Sequence, residues 1–99
     1  MNKQLMQQAQ MMQKKLAKMQ EELETAAVEG SAGGGAVKVT VTGKFVAKKV
    51  EIQPEAAQDI DLLQDLVLTA YNDAVTKAQD LAQKKLQAIG MGGMPGLGF

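Results

Sequence analysis

The sequence predicts an α+β fold: a two-layer α-β-β-β-α subunit with a three-stranded antiparallel sheet and two long helices, forming a homodimer. Three patterns carry that expectation. Apolar residues repeat every seven along the N-terminal stretch, valines alternate with polar residues through the middle, and a second helical stripe follows a proline.

In the first stretch Leu5, Ala9, Met12, Leu16, Met19, Leu23 and Ala26 stand alternately four and three apart. That period averages 3.5 residues per turn, so it draws a narrow seam along a helix, as in helix pairs and coiled coils. The residues between, among them Gln7, Gln8, Gln13, Lys14, Lys18 and Glu21, are good helix formers. A helix of about 24 residues is roughly 36 Å long. A chain of 99 residues cannot easily cover it with its own mass. Dimerisation through a seam of Leu5, Met12, Leu16, Met19 and Leu23 is therefore expected, and packing within the subunit is compatible with it.

Ala26 to Glu29 start a short first strand, followed by the glycine run Gly30-Ser31-Ala32-Gly33-Gly34-Gly35. A phosphate-binding loop would need a Gly-Lys-Ser/Thr ending and a helix behind it. A strand follows instead, so the run reads as a flexible hairpin connection. Val37, Val39 and Val41 alternate with Lys38, Thr40 and Thr42 as a half-buried second strand. Thr42-Gly43-Lys44 is turn-like, with Gly43 free to take positive φ. A third strand runs from Phe45 to Ile52 with Val46, Val50 and Ile52 on one face. Lys48 falls in phase with that apolar set, which predicts a bulge or an edge position there.

Gln53-Pro54 ends the sheet, since proline cannot donate to a ladder. Asp61-Leu62-Leu63-Gln64 resembles a capping box, and Asp59, Asp61 and Asp65 suit a helix N-terminus. The second helix then runs to about Ile89, with Leu63, Val67, Ala70, Ala74, Ala78 and Leu81 on one face and Leu62, Leu66 and Tyr71 widening it. Lys84 and Lys85 sit in the last turns, and Gly90 stops the helix. Residues 1–90 thus form a single domain, and 91–99, rich in glycine and methionine, a flexible tail.

Composition narrows the chemistry. The chain has no Cys, His, Trp or Arg. It therefore lacks thiolates, the usual zinc ligands and a proton shuttle near neutral pH, which argues against an enzyme. No metal or other cofactor is expected; the acids near Asp59 lack EF-hand spacing and read as helix capping. No apolar run approaches the ~18 residues of a membrane span. A soluble, cytoplasmic protein is the expectation, with no membrane partner and no small-molecule substrate.

Eleven lysines balance 11 acids, but in blocks. Residues 1–20 hold four lysines and no acid, whereas residues 51–73 hold six acids and no base. Lys14 and Lys18 lie one turn apart with Lys15 beside them, and a symmetric dimer would double that patch. A solvated helix face explains the same lysines, and zero net charge argues weakly against a polyanion partner.

The order of segments resembles a known family. It comprises Gln7-Gln8-Ala9-Gln10-Met11-Met12-Gln13, Gln20-Glu21-Glu22-Leu23, Glu29 to Val37 with its glycines, Val50-Glu51-Ile52, Leu63-Gln64-Asp65-Leu66-Val67 and Ala70-Tyr71-Asn72-Asp73-Ala74, ahead of a Gly/Met/Pro tail. Together these resemble the YbaB/EbfC family of bacterial nucleoid-associated DNA-binding proteins. The resemblance implies a homodimer with projecting helices, located at the nucleoid of a bacterial cytoplasm or in a plastid. It also implies binding of double-stranded DNA with little sequence preference, with roles in nucleoid organisation and gene regulation. Charged residues of the long helices would serve, here Lys3, Lys14, Lys15, Lys18, Lys77, Lys84 and Lys85. The absence of arginine, the better bidentate phosphate ligand, points to weak or conditional binding. The alternative is a dimeric module whose helices or apolar tail engage a protein partner.

Overall fold

The computed structural model describes residues 2–90; the expected tail, residues 91–99, lies outside them. Helix α1 (Lys3–Thr25) leads into a meander of β1 (Ala27–Ala32), β2 (Val37–Thr42) and β3 (Ala47–Ile52). A 3-10 turn (Pro54–Gln58) then precedes helix α2 (Ile60–Ala88). Both neighbouring strand pairs are antiparallel, in the order β1-β2-β3. The α-β-β-β-α architecture is the one the sequence patterns imply.

The core lies between the sheet and α2. Val37, Val39 and Val41 are fully buried, each worth roughly 2 kcal/mol of apolar burial. Facing them, Ala70, Ala74 and Ala78 recur every fourth residue and are likewise sealed from solvent. Small side chains let the helix backbone sit directly on the strands. Gly30 completes the arrangement, because a Cβ there would collide with the Ala74 amide nitrogen and the Ala70 carbonyl oxygen. This approach, with pairing of Gly30, Ser31 and Ala32 to Val39, Lys38 and Val37, carries β1 beyond the expected end at Glu29. The turn shrinks to Gly33-Gly34-Gly35-Ala36, with all three glycines at positive φ.

In the next turn Phe45, not Gly43, takes the left-handed conformation, at φ 69°. Buried Thr42 holds it there, its hydroxyl accepting from the Lys44 and Val46 amides at 3.1 and 3.3 Å. Gly43 has a different duty: a Cβ on it would come within 2.7 Å of the Leu23 carbonyl oxygen at the end of α1. Lys48 forms the expected irregularity. Thr40 pairs with Lys49 and Val41 with Ala47, leaving Lys48 as the extra residue of a bulge.

α2 is capped by Asp59, whose carboxylate accepts from the Leu62 amide at 3.2 Å. The expected cap at Asp61 lies two residues too late, because the 3-10 turn opened by Pro54 delivers the chain into the helix earlier. At the other end Gly90 adopts φ 84° just beyond the helix, as expected.

β3 departs furthest from expectation. Val50 and Ile52 stand opposite Val39 and Val37 on the helix side of the sheet, yet remain 49% and 42% exposed. The reason is coverage: α2 packs across β1 and β2 and makes no comparable contact with β3.

Candidate nucleic-acid interface

The polar face of α1 places Lys14, Lys15 and Lys18 in solvent. Its apolar seam divides along its length. Leu23 is buried, Met12, Leu16 and Met19 are half-buried, and Leu5 is 59% exposed. The C-terminal half of the seam therefore packs within the subunit, while the first turns project beyond it.

Where α1 meets the end of α2, a groove of about 320 Å³ is lined by Lys15, Lys18, Met19 and Glu22 with Lys85, Ala88 and Ile89. Lys85 Nζ donates to Glu22 Oε2 at 2.8 Å, anchoring the two helices. That hydrogen bond, then the Lys85 charge, and more weakly the Lys18 charge, hold the Glu22 carboxyl below the usual glutamate range. Three ammonium groups against one carboxylate leave the groove net positive. Such a concavity suits an anion, since fields from like charges add where their distances to the ligand are short.

Lys84 is exposed next to Lys85. Lys3 is exposed on the first turn, twelve residues before Lys15, or roughly 18 Å at 1.5 Å per residue. Lys77 is elsewhere and engaged: its Nζ lies 3.2 Å from Asp73 Oδ2 and donates to the Glu29 carbonyl at 3.0 Å. The structure thus gathers Lys15, Lys18 and Lys85 into one groove and leaves Lys3 and Lys77 apart from it. Sequence reading missed the part of Glu22; the only available signal was an acidic block at the end of α1 and a basic one at the end of α2. On the sheet, Lys49 pairs with Glu51 at 3.0 Å, and Lys49 followed by Lys38 holds the Glu51 carboxyl low.

Among the described residues no group of three or more acidic, His or Cys side chains is placed to hold a metal ion. No helix there is long and apolar enough to cross a membrane.

Fold and surface define a small α+β protein that presents a long helix with exposed lysines along its N-terminal part, beside a lysine-lined groove. The model of the YbaB/EbfC DNA-binding family matches residues 1–94, and the chain belongs to that family. A protein of Ruminiclostridium cellulolyticum described as a nucleoid-associated protein is 45% identical, over 94% of this chain and 84% of its own. One of Chloroflexus aggregans, described in the same words, is 48% identical over 96% of both chains. In fold, the chain is similar to the crystal structure of an uncharacterized protein from Helicobacter pylori, at a TM-score of 0.73 and 23% identity. That match covers 92% of this chain and 97% of the other. Family membership places the chain among DNA-binding proteins rather than enzymes.

Proposed function

We propose that the chain binds duplex DNA as a homodimer, with little sequence preference, through lysines of its two long helices. The observation that carries this reading is the groove of Lys15, Lys18 and Lys85. Lys14 and Lys84 flank it in sequence, and Lys3 extends the contact along α1. Lysine neutralises a phosphate as a point charge but lacks the planar fork that reads base edges, so contacts of this kind position without specifying. Lys77 contributes least, its ammonium being held by Asp73 and Glu29. The description shared by the two relatives supports a place at the nucleoid.

Uncovered apolar surface supports the dimer. Val46 before β3 and Val50 and Ile52 within it are exposed, and Leu63, Val67, Leu68 and Tyr71 line an apolar hollow of about 510 Å³ on α2. A second copy over this face would cover both. The α1 seam, half-buried at Leu16 and Met19 and closed only at Leu23, can add to that interface.

Fluorescence anisotropy with two unrelated duplexes at several salt concentrations tests the reading. Both duplexes should bind alike and weaken together as salt rises. A protein that binds neither duplex at low salt would overturn it in favour of a protein-interaction module.

A further inference from the structure

We infer that the projecting tip of α1 docks into a groove at the opposite end of a second copy, so that the protein assembles head to tail beyond its base unit. The groove is a hollow of about 560 Å³ between the β1–β2 turn and the start of α2, its walls including Ala36, Glu55, Ala56, Leu62 and Leu66. It is apolar with an acidic rim. Glu55 lines it, Leu62 is exposed, and on the helix surface Leu62 has Asp59 and Asp65 as neighbours, three residues to either side. Among the described residues the ion pairs leave Glu55, Asp59, Asp61 and Asp65 without a cationic partner.

The α1 tip is the complement of that rim. Leu5 and Met6 are exposed beside Lys3, and no acid precedes Glu21. An apolar pair with an adjacent ammonium matches an apolar hollow ringed by carboxylates, in charge as in character.

Distance rules out docking within one chain. α2 has 29 residues, roughly 43 Å, with the acidic groove at its start and Lys15 of α1 near its end. Lys3 lies roughly 18 Å further on, and the sum approaches the 66 Å length of the molecule. The tip and the groove therefore occupy opposite ends, and the tip can fill only another copy's groove. Unless two copies exchange tips reciprocally, such a heterologous contact builds a ring or an open row. It uses neither the β3 face nor the lysine groove, but it shares Lys3 with the proposed DNA contact and Leu5 with the α1 seam, so it is tested without DNA and above the base unit.

Sedimentation velocity of the full chain, from micromolar to several hundred micromolar, tests this without DNA. Species larger than the base unit, whether that unit is one chain or two, should grow with concentration and recede with added salt. Glu55→Lys with Asp65→Lys should weaken the association several-fold, the scale of one exposed ion pair with Lys3 turned to repulsion. Adding Lys3→Glu should restore it. Leu5→Gln with Met6→Gln, at exposed positions that the fold does not use, should weaken it as well. A parent that stays at its base unit would assign the groove to a foreign partner and overturn the inference. So would growth indifferent to both sets of substitutions, or a charge swap that fails to restore association.

Discussion

The Ser31 backbone N–H donates to the Asp73 carboxylate at 3.0 Å, tying an edge strand to the helix above it. Lys77 completes the clasp from one turn further along α2, donating to the Glu29 carbonyl. Backbone groups at the outer edge of β1 are thereby occupied by side chains, which discourages strand addition on that side.

The clasp makes stability depend on acid. The Ser31 amide, followed by the Lys77 side chain, lowers the Asp73 carboxyl below the usual aspartate range. A carboxyl whose pKa is lower folded than unfolded adds stability above its unfolded pKa and loses it as pH falls through the folded one. Glu22 and Glu51 are lowered as well and act with the same sign. The thermal midpoint should therefore hold steady near neutrality and drop progressively below about pH 4. Asp73→Asn should lower the midpoint at neutral pH and make the acid limb shallower, as read by circular dichroism melts across pH.

Gly30 and Gly34 should respond to alanine for different reasons. At Gly30 the added methyl meets the α2 backbone, so helix and strand must part, at a cost of roughly 3 kcal/mol. Gly34 faces open space but sits at φ 68°, where a side chain costs about 1 kcal/mol. Urea unfolding of the two variants should rank them in that order.

Lys14, Lys15 and Lys18 changed together to Gln should weaken DNA binding and flatten its salt dependence, with helix propensity nearly unchanged. If a dimer engages about six phosphates, log K falls with log salt at a slope of roughly −5, and the triple variant should be visibly shallower. Lys77→Gln should leave affinity and slope almost unaltered, since its ammonium already has two acceptors. Equal losses from the two variants would contradict the placement of the contact.

Val50→Lys should separate a dimer from a fold. Val50 is half exposed, so its replacement leaves the valine core of β2 in place while setting a charge on the uncovered face. Light scattering should give a dimer for the parent and a monomer for the variant, with unchanged helix content. Leu16→Glu strikes a half-buried seam position and should cost folding as well as association, on the order of several kcal/mol. A dimer untouched by Val50→Lys would remove β3 from the interface.

Much of the architecture was legible in the residues because it depends on neighbours. The seven-residue seam marked α1, the Val37-Val39-Val41 alternation marked the buried strand, and Lys48, a charge in phase with the apolar face of its strand, marked a bulge. Helical and strand periods are set by backbone geometry over a few residues, so a linear pattern reveals them. Lys14, Lys15 and Lys18 could likewise be assigned to a solvated helix face from their spacing alone.

Only the tertiary structure decided which surfaces those elements cover. Gly30 is required by backbones 40 and 44 residues away, those of Ala70 and Ala74, and Gly43 by that of Leu23, 20 residues away, which no local pattern announces. Val50 and Ile52 look as buried as Val39 and Val37 in the sequence, yet α2 is one helix wide and stops short of β3. The lysines were sorted in the same way. Asp73 and the Glu29 carbonyl claim Lys77, whereas the antiparallel return of α2 brings Lys85 beside Lys15 and Lys18. Pattern shows that a face is apolar or basic; the lengths and angles of elements packed in three dimensions choose what meets it.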